Sequence, residues 1–316
     1  MRVKSRQLVL LGGTGFVGRH LIGRLAAQGH RVRVLSRNAA LRPELRVLPN
    51  VQVDTADVYD PAALARAFEG ADAVINLVGI LNEKGFGGAG FQRAHVRLTQ
   101  GVIAACEPAG VKRLLQMSAL NAGRGESHYL RTRGEAEAAV KASSLDWTIY
   151  QPSVIFGPGD GLFGRFASLL KIAPVLPLAR AGAKFAPVYV GDVVRAMSET
   201  LFQPVAFRQI YELYGPEVLT LADIVRYTAR QLGLLRLVIP LPDGLARLQA
   251  TLMDFVPGKP FSTDNYLSLK IDSVGGIDGL YRLGIEKTPI DAVMPALLAQ
   301  SGRQARLDAQ RAERRA

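Results

Sequence analysis

The strongest constraint on the fold is a glycine loop near the start of the chain. Gly12-Gly13-Thr14-Gly15-Phe16-Val17-Gly18 lies between an apolar run, Gln7–Leu11, and a helical stretch, Gly15–Gln28, that Gly29 ends. So tight a strand-to-helix turn needs residues without a side chain, and a helix N-terminus offers unsatisfied N–H groups and the positive end of the helix dipole. Together they make a site that a pyrophosphate can approach closely. The glycine pattern alone is weak. Its place after the first strand of a regular strand–helix alternation makes it strong. Gly12, Gly15 and Gly18 are expected to hold a dinucleotide pyrophosphate, with Thr14, Phe16 and Val17 completing the cradle.

The next strand, Arg31–Ser36, bears on which dinucleotide is bound. NAD-preferring sites usually place an acidic residue at its end for the ribose 2′-hydroxyl. Here it ends Val34-Leu35-Ser36-Arg37-Asn38, with no acid. Arg37 suits a 2′-phosphate and offers a stacking face for adenine, Ser36 adds a hydroxyl, and Arg33 is a weaker contributor. The expected cofactor is NADPH in preference to NADH.

The alternation continues. Val51–Thr55, Ala73–Val78, Arg113–Ser118 and Trp147–Gln151 read as strands, and Pro61–Phe68, Phe91–Ala109 and His128–Ala142 as helices. This order implies an α/β fold of Rossmann type, a doubly wound parallel sheet covered on both faces. The second half is less regular. Helices are expected over Phe163–Lys171, Asp192–Leu201 and Leu221–Leu232, short strands over Pro187–Val190 and Gln209–Leu213, and apolar helical spacing over Gly244–Phe255. We expect a dinucleotide domain over residues 1–155, completed by parts of 186–213, then a smaller, mixed C-terminal region over 156–300 and a basic tail over 301–316.

Composition excludes several classes. With 48% hydrophobic and 21% charged residues, the chain is globular. Its single cysteine, Cys106, rules out an internal disulfide framework and is expected to be an inert, buried helix residue. The apolar run Leu8-Val9-Leu10-Leu11 is too short for a signal-peptide core, and no stretch approaches the roughly 18 apolar residues that span a bilayer. A cytoplasmic protein is expected, or one peripheral on the inner face of the membrane. The net charge of +12 comes partly from the tail, where Arg303, Arg306, Arg311, Arg314 and Arg315 face only Asp308 and Glu313. No nucleic-acid signature and no metal-ligand spacing accompanies it. The segment Leu241–Val256 reads by default as a core helix, with a hydrophobic patch for a partner or a membrane surface as the alternative.

The loop, together with Asp57-Val58, Leu77-Val78-Gly79, Ser118, Tyr129, Pro152-Ser153-Val154-Ile155-Phe156-Gly157 and Val188-Tyr189-Val190-Gly191-Asp192-Val193, resembles the extended and atypical branches of the short-chain dehydrogenase/reductase superfamily. Ala94-His95-Val96, Met117-Ser118-Ala119-Leu120-Asn121-Ala122, Ser127-His128-Tyr129-Leu130-Arg131-Thr132 and Gly134-Glu135-Ala136-Glu137 are similar to the accessory NADPH-binding subunits of mitochondrial complex I and their bacterial relatives. The resemblance implies a tightly held NADPH with a structural role and a membrane-associated respiratory complex as partner. It also places Asp57 and Val58 near adenine, Leu77, Val78 and Gly79 beneath the ribose side of the pocket, and Pro152, Ser153 and Val154 near the nicotinamide.

The superfamily's acid is a tyrosine followed four residues later by lysine, on one helix face, with a serine donor on an earlier strand. The lysine anchors the nicotinamide ribose and lowers the tyrosine's pKa. Tyr129 and Ser118 match, but Arg133 stands at the lysine position. Arginine keeps the charge while replacing a compact ammonium with a broad plane. His95 reads as a packing or hydrogen-bonding residue, and Gly85–Gly90 as a loop that is either idle or a substrate lid. Two functions stay open. One is a redox-inert or weakly active NADPH-binding subunit or assembly factor. The other is an oxidoreductase or epimerase on a small carbonyl, quinone or nucleotide sugar, with Tyr129 as acid, Ser118 as oxyanion donor and Arg133 as ribose anchor.

Overall fold

The computed structural model describes residues 4–38, 45 and 47–300; the basic tail lies outside them. The chain divides into two compact units. The first comprises residues up to Pro152 with Gly191–Leu213 and Gly276–Ile285, and the second Ser153–Val190, Tyr214–Gly275 and the residues from Glu286 on.

The first unit is built on a seven-stranded sheet. Strands β1 (Gln7–Leu11), β2 (Arg31–Ser36), β3 (Val51–Thr55), β4 (Ala73–Asn76), β5 (Arg113–Met117) and β6 (Asp146–Pro152) come in chain order, and β11 (Gln209–Leu213) returns late to the edge. The order across the sheet is β11-β6-β5-β4-β1-β2-β3. All neighbours pair in parallel, which requires crossovers over the faces. Helix α1 (Phe16–Ala27) makes the first crossover and α2 (Pro61–Phe68) the third. Winding reverses between β1 and β4, which leaves a crevice at the carboxyl ends of the strands, where open α/β sheets bind ligands.

Local chemistry explains most boundaries. Strands β1, β4 and β5 are almost wholly buried, as a two-sided parallel sheet demands, with Arg113 and Gln116 the polar residues of β5. The β4 strand stops at Asn76, short of the expected Val78, because the Asn76 side chain itself accepts the Val78 N–H. The helix expected over Phe91–Ala109 is a composite. A short turn at Ala89–Phe91 leads into a π-helical stretch, Gln92–Arg97, and then α3 (Leu98–Cys106). Such π segments frequently mark functional sites. Helix α4 (His128–Ala142) is capped by Ser127, whose hydroxyl accepts the Leu130 N–H. Cys106 is fully buried in the core, and burial pushes its thiol up to about 12.

The second unit contains the two-residue strands β7 (Ile155–Phe156), β9 (Lys184–Phe185), β10 (Val188–Tyr189) and β12 (Leu219–Thr220), helix α5 (Leu162–Ile172), a parallel ribbon of β8 (Val175–Leu178) and β13 (Leu237–Pro240), helix α7 (Leu221–Gln231) with a Thr220–Asp223 capping box, and helix α8 (Asp243–Met253). Helix α6 (Val190–Glu199) leads the chain back to the first unit. The core helix expected over Leu241–Val256 is only partly a core helix. Helix α8 buries Ala246 and Ala250 against Ala179 and Tyr266 and leaves its leucines exposed.

Candidate functional site

The β1–α1 turn is tight enough that its glycines have no room for side chains. Gly12 has φ +75°, and a Cβ there would lie 2.9 Å from the Leu77 carbonyl carbon and the Val78 nitrogen. A Cβ on Gly18 would lie 2.5 Å from the Gly13 Cα. The Gly15 N–H closes the turn on the Gly12 carbonyl at 3.0 Å. Helix α1 has no side-chain cap and no acid in its first turn, whereas Asp60 and Ser127 cap α2 and α4. The first N–H groups of α1, over Phe16, Val17 and Gly18, therefore stay available to an anion beside Thr14.

At the end of β2 the Arg37 side chain is exposed and bonds to nothing among the described residues, while the Ser36 hydroxyl meets the Asn38 backbone. Arg33 faces elsewhere. Its guanidinium pairs with Asp54 at 3.3 Å and donates to the Ala67 carbonyl, which removes it from the 2′-phosphate role. After β3, the Asp57 carboxylate accepts the Tyr59 N–H and Val58 packs on the core. A depression of about 380 Å³ lined by Gln7, Arg31, Arg33, Asn50 and Gln52 lies at the opposite, amino ends of the strands.

The carboxyl ends of β4 and β5 meet helix α4 through three residues one turn apart, Tyr129, Arg133 and Glu137. Arg133 is buried. Its Nη1 donates to the carbonyls of Met117 at 2.9 Å and Val78 at 3.4 Å, so it bridges two strand ends. A Cβ on Gly79 would collide with the Arg133 Nη2 unless the guanidinium shifted. The Arg133 Nε is buried with no hydrogen-bond acceptor among the described residues. A buried donor without a partner costs about 1–3 kcal/mol, and a bound ligand oxygen is one remedy. Arg133 also stands 5.5 Å from the centre of the Tyr129 ring.

Ser118 is buried and donates to Glu137 at 2.6 Å. Glu137, itself buried, also accepts from Gln151 at 2.7 Å and Lys141 at 3.0 Å. A hydroxyl has one proton, so Ser118 cannot hold this bond and donate to a substrate oxygen together. Tyr129 is half-buried and packs edge-on to Phe91 and His95, with ring centres 6.3 and 5.6 Å away. The His95 Nε2 accepts the Ile80 N–H, so its Nδ1 donates to the Thr132 hydroxyl at 2.9 Å. Burial, and then the charge of Arg133, push His95 down to about 2. It is a neutral structural link from the π-helical stretch to α4.

Pro152 ends β6, and the Ser153 hydroxyl donates to the Ser273 carbonyl at 2.7 Å within the second unit, next to Val154. Loop Gly85–Gly90 is tied at its end by Glu83, whose carboxylate accepts the N–H groups of Gly88 and Gly90. Sequence reasoning missed Asn76, Gln116, Thr132, Glu137 and Gln151. Asn76 donates to Gln116 at 3.0 Å and to Thr99 at 3.3 Å, which makes a buried polar layer under the strand ends. Isolated apolar-run breakers such as Asn76 and Gln116 were the available signal.

Comparisons with known proteins support dinucleotide binding. A family described as NAD(P)H-binding matches residues 12–161. Ceramide reductase of Caulobacter vibrioides is 31% identical over 248 residues, 77% of this chain and 76% of that protein. The chain belongs to the NAD(P)H-binding short-chain dehydrogenase/reductase family. Within that family it is also similar to NADH dehydrogenase [ubiquinone] 1 alpha subcomplex subunit 9 of Rattus norvegicus mitochondria, at 28% identity over 89% of this chain and 77% of that protein. The fold is shared with the crystal structure of gox2253, at TM-score 0.75, 20% identity and coverage of 95% and 99%. It is shared too with DesIV, a dTDP-glucose 4,6-dehydratase of Streptomyces venezuelae with NAD bound, at TM-score 0.74, 20% identity and coverage of 93% and 96%. This family member is thus an NAD(P)H-binding protein related both to complex I subunits and to reductases. Among the described residues no helix is long and apolar enough to cross a membrane.

Proposed function

We propose that this chain holds NADPH firmly, as a stabilising part of itself or of a larger assembly, and turns it over slowly if at all. The observation that carries this reading is Arg133. The guanidinium at the lysine position of the family is committed to the Val78 and Met117 carbonyls, and the Ser118 proton is committed to Glu137. Two of the three groups the family uses to move a proton thus have structural employment. Arg37 and Ser36 receive the 2′-phosphate, which selects NADPH. Asp57 and Val58 flank adenine, and Leu77, Val78 and Gly79 underlie the ribose. Pro152, Ser153 and Val154 approach the nicotinamide, and the orphaned Arg133 Nε takes a ribose oxygen. The assembly would be a respiratory complex, by similarity to the mitochondrial subunit, with the protein on the cytoplasmic side.

The test is to purify the protein without added cofactor, denature it and identify the released nucleotide by mass spectrometry. Stoichiometric NADPH is expected. Stoichiometric NAD(H) would sink the Arg37 assignment, and an empty protein that exchanges NADPH quickly would sink the holding role. Arg37→Glu should weaken NADPH by about 1.5–3 kcal/mol, the strength of a hydrogen bond to a charged group, and spare NADH.

A second reading is favoured by the similarity to ceramide reductase and by the half-buried Tyr129. The bound NADPH would supply a hydride to a carbonyl of a ceramide-like lipid. Tyr129 would give its phenolic proton to the carbonyl oxygen, Ser118 would turn from Glu137 to donate to that oxygen, and Arg133 would anchor the ribose. Tyr129→Phe separates the two. Under holding, nucleotide content survives; under reduction, turnover of a ceramide-type ketone falls by about 10²–10⁴.

A further inference from the structure

Helix α8 presents the wrong face to solvent. Leu245, Leu248 and Leu252, spaced i, i+3 and i+7, are 54%, 53% and 62% exposed, while Ala246 and Ala250 are fully buried. An ordinary surface helix does the reverse. The Gln249 side chain donates to the Pro177 carbonyl at 3.2 Å, which ties α8 to the edge of the β8–β13 ribbon. That ribbon pairs Leu237 with Val175 and Ile239 with Pro177, and all four are exposed on one face. Leu235, in the turn before β13, is 96% exposed. An aliphatic surface spread over a helix, a ribbon and a turn exceeds the scattered exposed leucines that need no explanation.

The charges around it are mainly positive. Residues 161–178 carry Arg165 and Lys171 and no acid. Residues 233–256 carry Arg236 and Arg247, and both acids there are engaged within the unit. Asp243 accepts from Tyr266 and Arg180, and Asp254 accepts from Thr263. The Arg247 side chain is exposed with no partner among the described residues. We infer that α8 and the β8–β13 ribbon form a docking face for a bilayer surface containing anionic lipid. The leucines enter the boundary between headgroups and acyl chains, and Arg247 and its neighbours meet the phosphates. This face stands whether or not the protein turns over NADPH, and its test uses no activity.

The experiment is flotation of the full chain with vesicles of phosphatidylcholine alone, and with vesicles in which roughly one third is phosphatidylglycerol. Binding to the anionic vesicles is expected, with marked loss in about 0.5 M salt. Leu248→Asp with Leu252→Asp should weaken it about tenfold or more, and Arg247→Glu severalfold. Both variants alter exposed positions and should retain the nucleotide content and urea midpoint of the parent. If the aspartate pair fails to fold, Arg247→Glu carries the test alone. The proposal is overturned if the parent ignores both vesicles, if neither variant changes binding, or if the face instead drives a concentration-dependent dimer that the leucine changes abolish.

Discussion

Helices α4 and α8 break the same rule in opposite directions. Helix α4 buries Arg133, Glu137 and Thr132, whereas α8 buries Ala246 and Ala250 and turns its leucines out. Charged groups are almost never fully buried unless paired, and leucines rarely line up on an exposed face by chance. In α4 each buried polar group answers another element: Arg133 the ends of β4 and β5, Glu137 the Ser118 hydroxyl and Gln151, Thr132 the neutral His95. In α8 only the alanines pack on the unit, and Leu245, Leu248 and Leu252 are each more than half exposed. The first departure is complete inside the chain and the second needs a surface outside it. Departures from patterning thus sort into two kinds, and mutation separates them.

The largest effect is expected in α4. Glu137→Ala leaves the buried Ser118 hydroxyl and the Gln151 amide without their acceptor, and the half-exposed Lys141 without its pair. Leaving these donors without an acceptor costs about 1–3 kcal/mol each, to be read from urea unfolding. A loss under about 1 kcal/mol would mean that water replaces the carboxylate, and the contrast with α8 would collapse.

The next effect is a pH dependence. His95 is held neutral, with its pKa lowered from 6.5 to about 2 by burial first and the charge of Arg133 second. The unfolded chain therefore binds the proton first as pH falls. This contribution is fully present above pH 6.5 and is lost progressively below it, by at most about 1.4 kcal/mol per pH unit. Between pH 7 and 5 the loss is about 2 kcal/mol, and His95→Gln should flatten it. An unchanged slope in that variant would assign the dependence to other groups, such as His30, whose pKa is also lowered by burial.

The legibility of the chain follows the same division. Strands β1, β2 and β3 and helices α2 and α4 fall where periodicity and caps place them, because those signals are local. The tight glycine turn was legible because a missing side chain acts within a few residues, and the shared helix face of Tyr129 and Arg133 because their spacing is one helical turn. Glu137 was not, since its partners arrive from β5 and β6, and neither was the Asn76–Gln116 layer. For α8, periodicity showed a helix with apolar residues but not which side faces in. Alanines and leucines both count as apolar, and close approach to Ala179 and Tyr266 selected the smaller ones.

Two substitutions on α8 test that choice. Ala250→Leu puts a large side chain where Cβ alone fits and should cost about 1–3 kcal/mol by overpacking. Leu252→Ala, in a core, would cost about 2–5 kcal/mol. On this exposed stripe it should stay within about 0.5 kcal/mol of the parent in urea unfolding without lipid. The same variant should lose affinity for anionic vesicles. Stability unchanged with binding lost would mean that the leucine serves an external surface. Stability lost by several kcal/mol would place Leu252 in a core, and α8 would then follow the ordinary rule that α4 breaks alone.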